Sequence, residues 1–98
     1  MSDLGVAIYQ LGGIFTGLIN IYIWVMIASA LISFVNPDPY NPIVQFLYRI
    51  TVPAYSFIRK FIKTEFNGLD LAPLIIIIGL QILIIFVNYF FTVIATTI

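Results

Sequence analysis

Two stretches of the chain hold no charged side chain at all, one between Asp3 and Asp38 and one from Leu71 to Ile98. Each is long enough for a helix to cross a hydrocarbon layer of about 30 Å. The segment between them is patterned differently. Ile43, Phe46, Leu47, Ile50, Ala54, Phe57, Ile58 and Phe61 recur at three- and four-residue intervals, while Gln45, Arg49, Ser56, Lys60 and Lys63 fall on another stripe. That is the period of an amphipathic helix. The pattern predicts an all-α membrane protein: a two-helix transmembrane hairpin joined by a kinked amphipathic interfacial helix. The spans are placed at about 14–35 and 71–94 and the interfacial segment at 41–66, within a single membrane unit of residues 1–98.

Turn residues refine these boundaries. A helix from Leu4 to Pro37 would be about 51 Å long, which overshoots the hydrocarbon, so a tilt or a break is expected at Gly12-Gly13, with the residues before the first span as an interfacial lead-in. Asn36-Pro37-Asp38-Pro39 ends that span. Asn41-Pro42 reads as an N-cap followed by proline at the first helical position, where a missing N–H costs nothing. Thr51-Val52-Pro53 repeats the device and points to two short helices or one kinked helix. Asn67-Gly68 marks a turn, Asp70 is placed to cap the next helix, and Pro73 falls in its first turn. The run Ile75 to Ile78 would favour a strand in water, but a lone strand in lipid leaves its backbone unpaired, so helix is expected.

Composition narrows the chemistry. Of 98 residues, 62% are hydrophobic and 8% charged, beyond the apolar share of a soluble domain. There is no Cys and no His, which excludes disulfides, thiol and imidazole catalysis and Cys/His metal sites. Asp38, Glu65 and Asp70 are the only carboxylates in the connection and form no paired motif, so no enzyme activity and no cofactor are expected. Net charge is zero, which gives no reason to expect direct nucleic-acid binding. The first basic residue is Arg49, so the N-terminal apolar stretch lacks the charged start of a signal peptide and is expected to remain in the mature protein.

All four basic residues, Arg49, Arg59, Lys60 and Lys63, lie in the connection. The positive-inside rule therefore places residues 36–70 in the cytoplasm and both termini outside, in a bacterial inner membrane. The same four residues are candidates for contact with lipid headgroups, although topology anchoring explains them equally well. Within the spans, Gly13 with Gly17 and Ser29 with Ser33 form small-xxx-small pairs that let helices approach, and Gln81 and Asn88, seven apart, share a face and read as interhelical hydrogen-bonding groups. Neither span carries a charge, which disfavours an ion path through one copy.

The series Tyr22-Ile23-Trp24, Ser33-Phe34, Asn36-Pro37, Asn41-Pro42-Ile43-Val44, Leu47, Thr51, Pro53, Ile58-Arg59 and Gly68-Leu69-Asp70-Leu71-Ala72-Pro73 resembles the YggT family, also called YlmG, over residues 18–90. Many members carry two such units, whereas this chain resembles one. It departs from the family pattern at Val52, where an acidic residue is common, at Phe57 and Lys63, where prolines are common, and at Phe34, where tryptophan is frequent. The resemblance implies a non-catalytic accessory or assembly factor linked to cell division, envelope organisation or membrane-complex assembly. The alternative it implies is an oligomeric protein of osmotic tolerance or potassium transport. Plastid relatives are linked to haem attachment to a cytochrome and to nucleoid distribution, but without His or Cys this chain has no conventional haem ligand. The expected partners are membrane lipids and either other integral membrane subunits or a second copy. Family motif and local physics coincide at Asn41, Pro42, Thr51, Pro53, Arg59, Asp70 and Pro73, and residues 41–66 are the expected recognition surface.

Overall fold

The computed structural model describes residues 1–35, 38–66 and 69–98, without the side chains of Phe34 and of residues 66–70. Three helices follow one another: α1, Asp3–Phe34; α2, Pro42–Arg59; and α3, Ala72–Thr97. Between α2 and α3 lies a short antiparallel ribbon in which β1, Glu65–Phe66, pairs with β2, Leu69–Asp70. The fold is all-α apart from that ribbon. Asp3–Ser33 of α1 and Ala72–Thr97 of α3 are long and apolar enough to cross a membrane, at about 46 and 39 Å by the helical rise. Trp24, Ile85, Phe86 and Tyr89 are each about two-thirds exposed on these helices. In water such surface would drive aggregation, whereas in lipid it costs nothing.

α1 begins where Ser2 caps it: the Gly5 amide donates to Ser2 Oγ at 3.0 Å and the Val6 amide to the Ser2 carbonyl at 2.9 Å. The helix then runs through Gly12-Gly13, so the break expected there is absent and the lead-in before residue 14 is helical. Gly12 instead serves close packing. A Cβ on it would lie 2.6 Å from Phe91 Cβ, a contact only glycine avoids.

The chain divides into two compact units, Met1–Tyr22 with Gly79–Ile98, and Ile23–Ile78. In the first, α1 and α3 run antiparallel. Gly5 abuts the Ala95 carbonyl, Gly12 abuts Phe91, and Phe15 stacks on Phe91 with centroids 5.6 Å apart. Gly5 and Gly12 are two turns apart and Phe91 and Ala95 about one, so all four fall on facing stripes.

The second unit has a core of Ile23, Met26, Val44, Ala72 and Ile76, with Ser29, Thr51 and Thr64 buried among them. α2 is one helix, continuous through Pro53, so the expected division at Thr51-Val52-Pro53 does not interrupt it. Proline removes a single helical donor there, and the buried residues Val44 and Thr51 hold the helix ahead of it. α2 also ends earlier than the expected 66. Lys60 is its C-cap, and the Phe61 and Ile62 amides close on the Ile58 carbonyl at 3.1 and 3.0 Å. Beyond it the Leu71 amide donates to the Thr64 carbonyl at 2.8 Å, closing the loop that carries the ribbon. The expected turn residues Asn67-Gly68, and Asn36-Pro37 after α1, lie outside the described residues.

Candidate functional site

Every basic residue of the chain lies on α2 or just after it, and what fixes α2 is a set of hydroxyls. The helix starts at Asn41, whose Oδ1 accepts from the Ile43 amide at 2.9 Å, with Pro42 as its first residue. Ahead of that cap, Asp38 Oδ1 accepts from the Tyr40 amide at 3.0 Å and the Asn41 amide donates to the Asp38 carbonyl at 3.1 Å, forming a tight turn. Gln45 Nε2 reaches back to the Pro39 carbonyl at 3.1 Å. The entry into α2 is thus tied by side-chain and main-chain bonds alike.

Among the described residues, hydroxyl contacts join α2 to α1 at Thr51 and Tyr48. Thr51 Oγ1 donates to the Leu47 carbonyl at 2.8 Å, and a hydroxyl has one proton. At 3.2 Å from Ser29 Oγ it therefore accepts, and Ser29 is the donor. Ser33 Oγ donates to the Ser29 carbonyl at 3.0 Å, so the Tyr48 hydroxyl, 3.3 Å away, donates to Ser33. Both chains of bonds end on backbone carbonyls. Ser29 and Thr51 have no exposed surface, and among the described residues no buried side-chain polar atom lacks a partner. The serines singled out for helix packing thus meet Thr51 and Tyr48. Tyr48 is missed by sequence reasoning, which sets it on neither stripe of the segment.

The periodicity of α2 resolves into stripes offset by one residue. Val44, Leu47, Thr51, Ala54 and Ile58 are buried or half-buried, whereas Ile43, Phe46, Pro53 and Phe57 are exposed. Gln45, Arg49, Ser56 and Lys60 make a third, polar stripe, also exposed. Arg59 lies with its guanidinium 5.6 Å from the centroid of the Tyr55 ring, within cation–π range, and Lys63 is exposed beyond the helix.

The remaining candidates fall elsewhere. Pro73 is the second residue of α3, where its missing N–H leaves no bond unmade. The Ile75 amide donates to the Leu71 carbonyl at 3.0 Å, which puts Leu71 rather than Asp70 at the backbone cap position; Asp70 stands in β2 and its side chain is not among those described. Gly13 and Gly17 have nothing within 4 Å of a would-be Cβ, so the close approach within the chain is made by Gly5 and Gly12 instead. Gln81 and Asn88 are exposed. Asn88 lines a cleft of about 250 Å³ with Tyr9, Gly12, Gly13, Thr16, Phe91 and Thr92.

The sequence matches the model of the CCB3/YggT family over residues 8–91. The chain belongs to the CCB3/YggT family. That membership, with two helices able to cross a membrane, gives it a membrane-associated role. It is similar to the uncharacterized protein PA0392 of Pseudomonas aeruginosa, with 34% identity over 62 residues, 63% of this chain and 31% of that protein. The chain thus spans about a third of the length of that relative. No solved structure matches.

Proposed function

We propose that this CCB3/YggT protein is a non-catalytic integral accessory protein of a bacterial inner membrane, serving assemblies of cell division, the envelope or another membrane complex. α1 and α3 cross the bilayer with the termini outside, and residues 36–70 lie on the cytoplasmic side. One observation carries the reading. α2 is anchored to α1 by the Ser29–Thr51 and Ser33–Tyr48 contacts, while its polar stripe, including Arg49 and Lys60, stays exposed. A helix held so, with its charges outward, is suited to present a fixed surface to other subunits. No nucleic acid takes part directly.

The experiment is to extract the tagged chain from its native membrane in mild detergent and identify what co-purifies in stoichiometric amounts, beside a chain in which residues 41–66 are replaced by an unrelated amphipathic helix. A defined set of division, envelope or respiratory subunits, lost on replacement, supports the proposal. Unchanged partners and phenotype after replacement defeat it. Recovery solely as a self-oligomer favours a second reading, an oligomeric protein of osmotic tolerance or potassium transport. The observation behind that reading is the cleft bearing the polar side chains of Tyr9, Thr16, Asn88 and Thr92, and potassium flux in reconstituted vesicles tests it.

A further inference from the structure

α2 turns one apolar stripe towards the rest of its unit and leaves a second uncovered. In the register 43-46-50-53-57, one residue ahead of the buried register 44-47-51-54-58, Ile43, Phe46, Pro53 and Phe57 are exposed while Ile50 between them is half-buried. Phe46 is 58% and Phe57 60% exposed. An aromatic strip of this kind needs an apolar medium beside it.

Three features identify the medium. First, α2 contains no Asp or Glu, and Arg49 and Lys60, eleven residues and therefore three helical turns apart, stand together on the polar stripe that borders the exposed strip. A strip bordered by cations is complementary to a negatively charged surface. Second, Thr51 and Tyr48 attach α2 to Ser29 and Ser33, in the last two turns of α1 before its end at Phe34. α2 thus sits at the level where a spanning α1 leaves the hydrocarbon. Third, the side chains of Ile43, Phe46, Pro53 and Phe57 carry no hydrogen-bonding group, as suits a place among acyl chains.

We infer that α2 lies in the plane of the membrane surface, with Ile43, Phe46, Pro53 and Phe57 among the acyl chains and Arg49 and Lys60 against the phosphates of anionic phospholipids. The inference rests on the membrane-spanning reading of α1 and α3 and refines it. The strip and its bordering cations are given to lipid, which leaves Gln45 and Ser56 of the polar stripe towards the aqueous phase as the surface for a partner.

The chain has no cysteine, so single-cysteine variants can carry a nitroxide at one position each: Phe46, Phe57, Gln45 and Ser56 on α2, and Leu18 on α1 as a control for insertion. The full-length protein is reconstituted into phosphatidylcholine vesicles with and without phosphatidylglycerol. Labels at Phe46 and Phe57 are expected to be relaxed by oxygen and shielded from a water-soluble nickel complex, with the reverse at Gln45 and Ser56. In a second arm Trp24 is replaced by phenylalanine and Phe57 by tryptophan. Brominated phosphatidylglycerol is expected to quench that tryptophan several-fold more than brominated phosphatidylcholine, and R49Q/K60Q is expected to lower that ratio towards one. Aqueous accessibility at Phe46 and Phe57 equal to that at Gln45 and Ser56 overturns the inference, as does shielding from both reagents, which would mean a protein partner. A label at Leu18 in lipid alongside either result leaves the membrane reading standing, whereas a water-exposed Leu18 defeats both.

Discussion

The hydroxyl of Ser29 donates to the hydroxyl of Thr51 at 3.2 Å, across a separation of 22 residues, at a point where neither side chain has any exposed surface. The pair ties α1 to α2, and its energetics can be isolated. Thr51→Val keeps the shape but leaves the Ser29 hydroxyl buried without an acceptor, and Ser29→Ala removes the donor. Each change is expected to destabilise the protein by about 1–2 kcal/mol. The double variant should lose less than the sum, because no orphaned donor remains. Thermal unfolding in detergent of the four proteins of this cycle measures the coupling, expected at about 1 kcal/mol. Additive losses would show that the two hydroxyls do not interact.

The glycines should divide into two classes. Gly12→Leu and Gly5→Leu drive a side chain into Phe91 or the Ala95 carbonyl, and each is expected to cost about 1–3 kcal/mol or to separate α1 from α3 in this unit. Gly13→Ala and Gly17→Ala meet open space and should be neutral or stabilising by up to about 1 kcal/mol through helix propensity. Detergent-melting temperatures of the four variants test the ranking. A loss at Gly13 or Gly17 as large as at Gly12 would mean that another molecule occupies that face.

At the start of α2, Asn41→Ala removes the acceptor for the Ile43 amide and should destabilise the helix by about 1 kcal/mol. Asn41→Ser should restore most of the loss. Amide hydrogen exchange at Ile43 and the residues after it reports the effect directly: faster exchange in Asn41→Ala, close to the parent rate in Asn41→Ser. Equal protection in all three proteins would mean that the Pro39, Asp38 and Gln45 contacts hold the turn without the cap.

Which of these features the sequence discloses follows from the range of the interactions that decide them. The Asn41-Pro42 cap depends on neighbouring residues and the two long apolar helices on long uncharged runs, and both are legible in the pattern. The two registers of α2 are not, because 43-46-50-53-57 and 44-47-51-54-58 have the same spacing and merge into one broad apolar stripe. Only docking against Ser29 and Ser33 decides which of them is covered. The same holds for Gly12 and Gly13. Adjacent glycines are alike in sequence, but they point about 100° apart on a helix, and the position of Phe91 decides which one is needed. The end of α2 at Arg59 was obscured for a different reason. The polar-apolar alternation continues to Lys63, while the ribbon formed by Glu65–Phe66 and Leu69–Asp70 is too short to leave a periodic signal.

Orientation across the bilayer makes the last prediction. The four basic residues all lie in residues 49–63, and the apolar helices on either side carry none. Translocating that segment would move four cations across the membrane, whereas moving either terminus exports no basic side chain, so retention of the connection in the cytoplasm is favoured. In intact cells a cysteine at Ser2 should react with a membrane-impermeant maleimide, and one at Ser56, exposed on the polar stripe of α2, should react only after permeabilisation. Replacing Arg49, Arg59, Lys60 and Lys63 with glutamine should weaken the difference, and adding lysines beside Ser2 in that background should invert it. If the cysteine at Ser56 is labelled in intact cells with all four basic residues in place, the charge-based orientation is wrong. α2 would then present its polar stripe outside the cell.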